Sequence, residues 1–253
     1  MNTTYLGLEL RRFARDRANL FFIGVLPAFF YIIFGATQAY GGSPLGNGNV
    51  ALYILVSMAA YGAVTATVGV GGMAAVERMQ GWGRQLGLTP LRDGGFVLVK
   101  ITLAVVVALL PVTLIAVIGA LTGAEGTTVA WTLSLLAVAG GACVFALFGL
   151  CAGLAFRTEA AVSAASGMVV VLAFLGNVFV PLSGTLLAIA KFTPLYGYVA
   201  LARYPVTEGR LISGDGASLG SDPLWLPLLN LGVWSAVLAV AAVLLVRRGR
   251  ERQ

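Results

Sequence analysis

Six runs of about 20 or more apolar residues, separated by short polar stretches, constrain this chain more than any other feature of it. Hydrocarbon offers no partner to a peptide N–H or C=O, so a run that crosses a bilayer must satisfy its backbone within itself, as a helix does. The runs lie at about 18–40, 50–75, 95–121, 127–156, 160–180 and 225–246. Only 10% of the residues are charged, against roughly 25% in soluble domains. The predicted fold is therefore an all-α membrane protein of six transmembrane helices, one domain spanning 1–253, with little chain left for any soluble unit.

The cations orient these spans. Arg11, Arg12, Arg15 and Arg17 precede the first run, and Arg78, Arg84, Arg92 and Lys100 surround the second connection. Arg157 sits in the fourth connection, and Arg247, Arg248, Arg250 and Arg252 close the chain. These thirteen fall on one side of a six-span bundle, against Lys191, Arg203 and Arg210 on the other. The positive-inside rule then places both termini in the cytoplasm of a multi-pass protein in the plasma (inner) membrane. Tyr40, Tyr53, Trp131 and Trp225 fall near the predicted outer boundary, as an aromatic belt does. The first run lacks a small-residue cleavage site and reads as an uncleaved span. The net charge of +6 is explained by this segregation, so no nucleic-acid partner is implied.

What the spans lack excludes several mechanisms. Ion-driven carriers bind their coupling ion with ionisable groups at membrane depth, and here every acid falls in a loop, at a boundary or in a tail. There is no histidine, which removes the commonest metal ligand and general base. No G-x-x-x-x-G-K-[ST] motif is present, so the chain carries no P-loop of its own. Neither a catalytic nor a metal site is expected. Cys143 and Cys151, eight residues apart on one helix, stand about 12 Å apart along the axis and do not bridge. The polar groups nearest membrane depth are Asn177, Ser163, Ser166, Thr65, Thr67 and Thr113. Isolated residues of this kind serve as interhelical glue or line a pathway; Asn177, Phe179, Thr65 and Thr113 are the candidate path residues.

The stretch from Ala75 to Lys100 joins the second and third spans. Met79, Trp82 and Leu86 fall on one helical stripe, with Arg78, Arg84 and Gln85 elsewhere, the pattern of a short amphipathic helix at a membrane surface. Thr89-Pro90 ends it, because the residue before proline avoids the helical region. The N-terminal stretch is of similar character: Leu6, Leu10 and Phe13 share one face among four arginines, which predicts a helix on an anionic leaflet. Beyond the fifth span, residues 183–209 are apolar but broken by Pro194 and Pro205, too interrupted for two more spans. Short re-entrant or interfacial helices fit this stretch.

Glu77-Arg78-x-x-Gly81-x-x-x-Gln85-Leu86-x-Leu88-Thr89-Pro90-Leu91, followed by Lys100, resembles the loop of type-two ABC exporter permeases. Val180-Pro181-Leu182, then Phe192-Thr193-Pro194-Leu195-Tyr196-x-x-x-Ala200-Leu201-x-Arg203 and Gly209, is similar to the external segment of the same family. Trp82-Gly83 departs from the Thr-Leu common there, and Val99 stands where a glycine often precedes the lysine. The resemblance implies a permease that is not itself an enzyme and holds no cofactor. ATP and Mg belong to a separate cytoplasmic ABC ATPase subunit, and a second permease, identical or a related sister, completes the assembly in the lipid bilayer. It assigns the coupling helix to the cytoplasmic loop, with Glu77, Arg78, Met79, Gly81, Trp82, Arg84, Leu86, Thr89 and Pro90 as the ATPase-coupling residues. The expected cargo is hydrophobic or amphiphilic: a drug, an antibiotic, a lipid or a lipid-linked glycan. A non-transporting scaffold or sensor subunit, whose loop binds a regulatory protein, is the competing expectation.

Overall fold

The computed structural model describes residues 3–77, 93–156, 158–212 and 218–250. Helix α1 (Thr3–Arg15) leads into a first apolar rod made of α2 (Arg17–Leu20), a π-helical stretch Phe21–Val25, α3 (Leu26–Tyr31) and a second π-helical stretch Ile32–Ala36. The long helices α4 (Val50–Glu77), α5 (Asp93–Leu121) and α6 (Thr128–Phe156) follow, then α7 (Glu159–Leu175). Two short helices, α8 (Gly184–Ala190) and α9 (Pro194–Thr207), precede α10 (Trp225–Arg250). Strands β1 (Pro44–Leu45) and β2 (Gly48–Asn49) form one small hairpin, and β3 (Arg210–Ile212) and β4 (Ser218–Ser221) another. Five helices are long and apolar enough to cross a membrane, or six if the pair α8 and α9, bent by 95°, counts as one. This is the helical, multi-pass architecture that the hydropathy predicts.

The elements differ from the sequence reading where a local interaction outweighs hydropathy. The fifth apolar run was expected to span 160–180, but α7 stops at Leu175. Asn177 takes a left-handed conformation, φ +62°, and its Oδ1 accepts the Leu182 N–H at 2.8 Å, which turns the chain out of the helix. At 17 residues α7 is about 25 Å long. It nevertheless joins the two ends of the bundle, since Glu159 lines the same cleft as Glu77 and Lys100 while the Asn177 carbonyl accepts from Arg203. The apolar stripe of α1 does not face outward: Leu6, Leu10 and Phe13 pack on Ile23, Val70 and Leu103 of the bundle.

Helix α4 is the axis. Of its most apolar stretch 83% is buried, against 11% for α10, and α3, α5, α6, α7 and α9 all pack on it. A helix enclosed on all sides needs small residues wherever a neighbour comes close. Along the seam with α6, a Cβ on Gly71 would overlap the Ala146 carbonyl, and one on Gly149 would overlap the Val68 carbonyl. Thr67 Oγ1 donates across the same seam to Ala142 O at 2.8 Å. The four-residue spacing of Gly149 and Gly153 therefore serves contact within the chain.

Pro27 and Pro111 both lie against Gly62 of α4, where a Cβ would come 2.7 Å from Pro111 Cβ and 3.2 Å from Pro27 Cγ. Proline at position 27 cannot donate to the Ile23 carbonyl, and the π-helical stretch before it widens the turn to make room for the ring. That carbonyl is covered by α4 at Gly62. The end of the bundle away from α1 is closed by two asparagines near the β1–β2 hairpin. Asn47 N–H and Nδ2 donate to Val206 O (2.8 Å) and Pro205 O (3.1 Å). Asn49 Oδ1 accepts Leu52 N–H (2.9 Å) and Glu125 N–H (3.1 Å) while its Nδ2 donates to Gly123 O (2.8 Å).

Two glycines of α4 separate packing from propensity. Gly71→Ala drives a methyl into backbone and should lower the stability of the detergent-solubilised protein by roughly 1–3 kcal/mol. Gly69→Ala meets nothing within 4 Å and should be neutral or mildly stabilising. Thermal unfolding followed by circular dichroism distinguishes the two.

Candidate functional site

Most of the expected coupling residues lie outside the described residues: Arg78, Met79, Gly81, Trp82, Arg84, Leu86, Thr89 and Pro90. Glu77 is described, and it lies inside the protein. Packing of Leu6 and Phe13 carries Glu9, three residues after one and four before the other, onto the bundle face of α1, where it is that helix's buried residue. Helix α4 contributes Glu77 from its last position and α5 contributes Lys100. Lys100 Nζ lies 2.6 Å from Glu77 Oε2 and 3.0 Å from Glu9 Oε1, and all three side chains are about 9% exposed. Arg12 Nη1 donates to Glu77 Oε1 at 2.6 Å from a side chain 60% exposed. Among the described residues, two carboxylates and two cations thus form a cluster whose charges balance. Isolated charges would be expensive at this depth, and mutual neutralisation is what makes the burial tolerable.

The cluster forms one wall of a cleft of about 530 Å³. Phe22 and Asn19 of the first rod, Gly69 and Met73 of α4, and Ser163 and Ser166 of α7 form much of the remainder. Both serines donate back to carbonyls of their own helix, Glu159 O (3.2 Å) and Val162 O (3.1 Å), which leaves their oxygens able to accept. The cleft combines apolar walls with a charged rim of Glu9, Arg12, Asp16, Glu77, Lys100 and Glu159. That combination suits a molecule with an apolar body and a polar end.

At the opposite end, Arg203 of α9 is 5% exposed. Its Nε and Nη2 donate to Ser57 Oγ at 2.8 and 2.6 Å, Nη1 donates to Asn177 O at 2.7 Å, and Nη2 also reaches Val178 O at 3.2 Å. The guanidinium stands 4.1 Å from the centre of the Tyr53 ring. Both carbonyls belong to the turn that follows α7, and with the electron-rich ring face they stabilise the cation by dipoles and π electrons. Beside it, Lys191 pairs with Asp222 at 2.6 Å, and Tyr196 Oη donates to the other oxygen of Asp222 at 2.7 Å. These bonds tie α8, α9 and the approach to α10 together.

The four expected path residues are not gathered at one place. Asn177 forms the turn after α7 and borders a small cavity of about 30 Å³ with Arg203 and Tyr53. Phe179 centres an aromatic cluster, with ring centroids 5.0 Å from Tyr61, 5.0 Å from Phe174 and 5.6 Å from Phe30. Thr65 donates to Tyr61 O at 2.9 Å, and Thr113, on an exposed face of α5, donates to Leu109 O at 2.8 Å. Tyr53, expected in the aromatic belt, lies under Arg203. Sequence reasoning passed over Glu9, Arg12 and Ser57 as site residues. The one available signal was Glu9 on the same helical face as Leu6 and Phe13, since an acid within an apolar stripe needs a buried cation. No protein-family model, no curated protein and no solved structure matches the chain.

Removing one partner from a buried cluster strands the others. Lys100→Met should destabilise the protein by roughly 3–5 kcal/mol, and adding Glu9→Gln and Glu77→Gln should restore most of the loss. Thermal unfolding of the single and triple variants measures both. For Arg203, planar geometry matters as much as charge: Arg203→Lys cannot reach Ser57 and both carbonyls at once and should cost nearly as much as Arg203→Met, roughly 2–4 kcal/mol.

Proposed function

We infer that this chain is the membrane-spanning subunit of an ATP-driven exporter of the ABC type, powered by a separate cytoplasmic ATPase. In this reading the first rod, α4, α5, α6, α7 and α10 are six spans, both termini are cytoplasmic, and α8 and α9 form a re-entrant cap on the outer side. The 78–92 stretch is the coupling segment, α1 is the helix at the inner surface, and a second permease subunit completes the pathway.

The observation that carries this reading is the ion cluster at the roots of that stretch. Glu77 precedes it, Lys100 follows it, and both bond to each other while Glu9 and Arg12 bind α1 to the pair. A displacement of the segment therefore reaches three helices at once, as a lever driven by a soluble motor requires. Glu77 then serves as the anchor of the lever, and Arg78, Met79, Trp82, Arg84 and Leu86 are left to meet the ATPase. The cleft beside the cluster suits a hydrophobic or amphiphilic cargo: Phe22 and Met73 offer apolar contact, and Ser163 and Ser166 accept hydrogen bonds.

Reconstitution with the ATPase that co-purifies with the chain tests the reading. Met79→Ala with Trp82→Ala should weaken association of the two proteins about tenfold or more, because buried apolar anchors dominate such contacts. Arg12→Ala, which removes a largely exposed side chain and leaves Lys100 in place, should preserve association and ATP hydrolysis while lowering transport per ATP. Transport by the purified chain without any ATPase, or unaltered coupling in both variants, overturns the assignment.

A further inference from the structure

The geometry points to a binding site for one anionic phospholipid where α6, α7 and α10 meet, with an acyl chain in an apolar groove and the phosphate at Arg248. The groove encloses about 580 Å³ and is walled by side chains such as Ala152 and Phe156 of α6, Ala164 and Met168 of α7, and Ala241 and Leu245 of α10. Cys151 also lines it, but its thiol donates to Leu238 O at 3.5 Å, so that group is already satisfied. A lining this apolar has nothing to offer a polar ligand or water.

Its length selects among apolar occupants. Along α6 the lining runs from Phe148 to Phe156, and along α10 from Leu238 to Leu245, which is about 10–12 Å of helix rise. That is about a third of the roughly 30 Å hydrocarbon thickness, less than the depth of one leaflet. The groove starts where α6 ends and stops short of that helix's middle, which matches an acyl chain belonging to a single leaflet. A helix from a second copy would run on through the full thickness.

Charge at the mouth selects the headgroup. Arg248 follows Ala241 by seven residues and Leu245 by three, so it continues the groove-lining face of α10 beyond the apolar zone, and it is exposed. Arg247 stands next to it, also exposed. The acid of the first turn of α7, Glu159, lines the other cleft with Lys100. The α7 N-terminus itself presents partial positive charge toward this end of the bundle. A phosphate held there has its acyl chain directly beneath it.

Native mass spectrometry of the detergent-purified full chain, titrated with phosphatidylglycerol or phosphatidylcholine, tests the site. The wild type should retain one phosphatidylglycerol in preference to phosphatidylcholine. Arg248→Ala should retain lipid but lose about fivefold of that preference, the effect of one basic residue at an anionic surface. Ala164→Phe fills the groove and should abolish retention of both lipids, while Leu229→Phe, on the exposed part of α10 away from the groove, should change nothing. Circular dichroism confirms that each variant is folded, and Arg248→Ala, altered beyond the packed region, decides the question should Ala164→Phe misfold. Unchanged lipid retention in Ala164→Phe, an unchanged headgroup preference in Arg248→Ala, or loss of a dimer with lipid stoichiometry unaltered in Ala164→Phe would each overturn the proposal.

Discussion

Everything in this fold depends on the enclosure of α4. Lipid tails are as apolar as leucine, so a membrane bundle gains little from hiding apolar surface and must hold together by close contact and polar bonds. The chain meets that requirement by making one helix the shared partner of the others and by stripping side chains from it where backbones touch. Gly71 and Gly149 bring α4 and α6 near enough for each to meet the other's carbonyls, and Gly62 does the same for Pro27 and Pro111. The prolines that weaken the first rod and α5 are thus supported from outside by the helix least able to move. Thr67 adds a directional bond to the seam without adding bulk.

The polar bonds sit at the two ends of this axis. Ser57 receives Arg203 near one end, and Glu77 receives Lys100 and Arg12 at the other. Twenty residues of helix between them span about 30 Å, close to the hydrocarbon thickness of a bilayer. In a bilayer of that thickness, charges at either end lie near the depth where water and headgroups begin, where burying them costs less than at mid-depth. The middle of α4 carries hydroxyls rather than charges, and those of Thr65 and Thr67 bond to main-chain carbonyls.

The spans were legible in the sequence because hydropathy over about 20 residues is a coarse signal that local detail rarely overturns, and most boundaries lie within a few residues of those expected. The differences have one cause: a hydropathy reading gives each residue a depth but no direction. Val178, Phe179 and Val180 are apolar and extend the fifth run to residue 180 on hydropathy, yet Asn177 turns the chain; Val178 and Phe179 pack on the core from outside the helix and Val180 is exposed. Glu77, assigned to the coupling loop, and Arg203, counted with the outer-side cations, are both buried. Thr113 lies on an exposed face of α5 and Asn177 makes a turn, placements that depth alone does not give. Glu9 alone broke a pattern visibly, as an acid on the apolar face of α1.

The two charged ties differ in what their disruption would require, and the difference bears on which end of the bundle can move. Arg203 is held by neutral acceptors and a ring, so withdrawing it from Ser57 and the carbonyls of the turn after α7 means exposing a cation with no counter-charge to a poorer environment. The cluster at the α1 end is internally neutral, and α1 takes part through Arg12, already in contact with solvent, and Glu9. Moving α1 and the two helix ends together leaves every pair intact, whereas separating them breaks buried pairs. Rigid-body motion of the three elements is therefore cheaper than motion of any one. A hinge, if the bundle has one, falls above the cluster rather than within it, where the π-helical stretch Phe21–Val25 already departs from regular helical bonding beside Gly62.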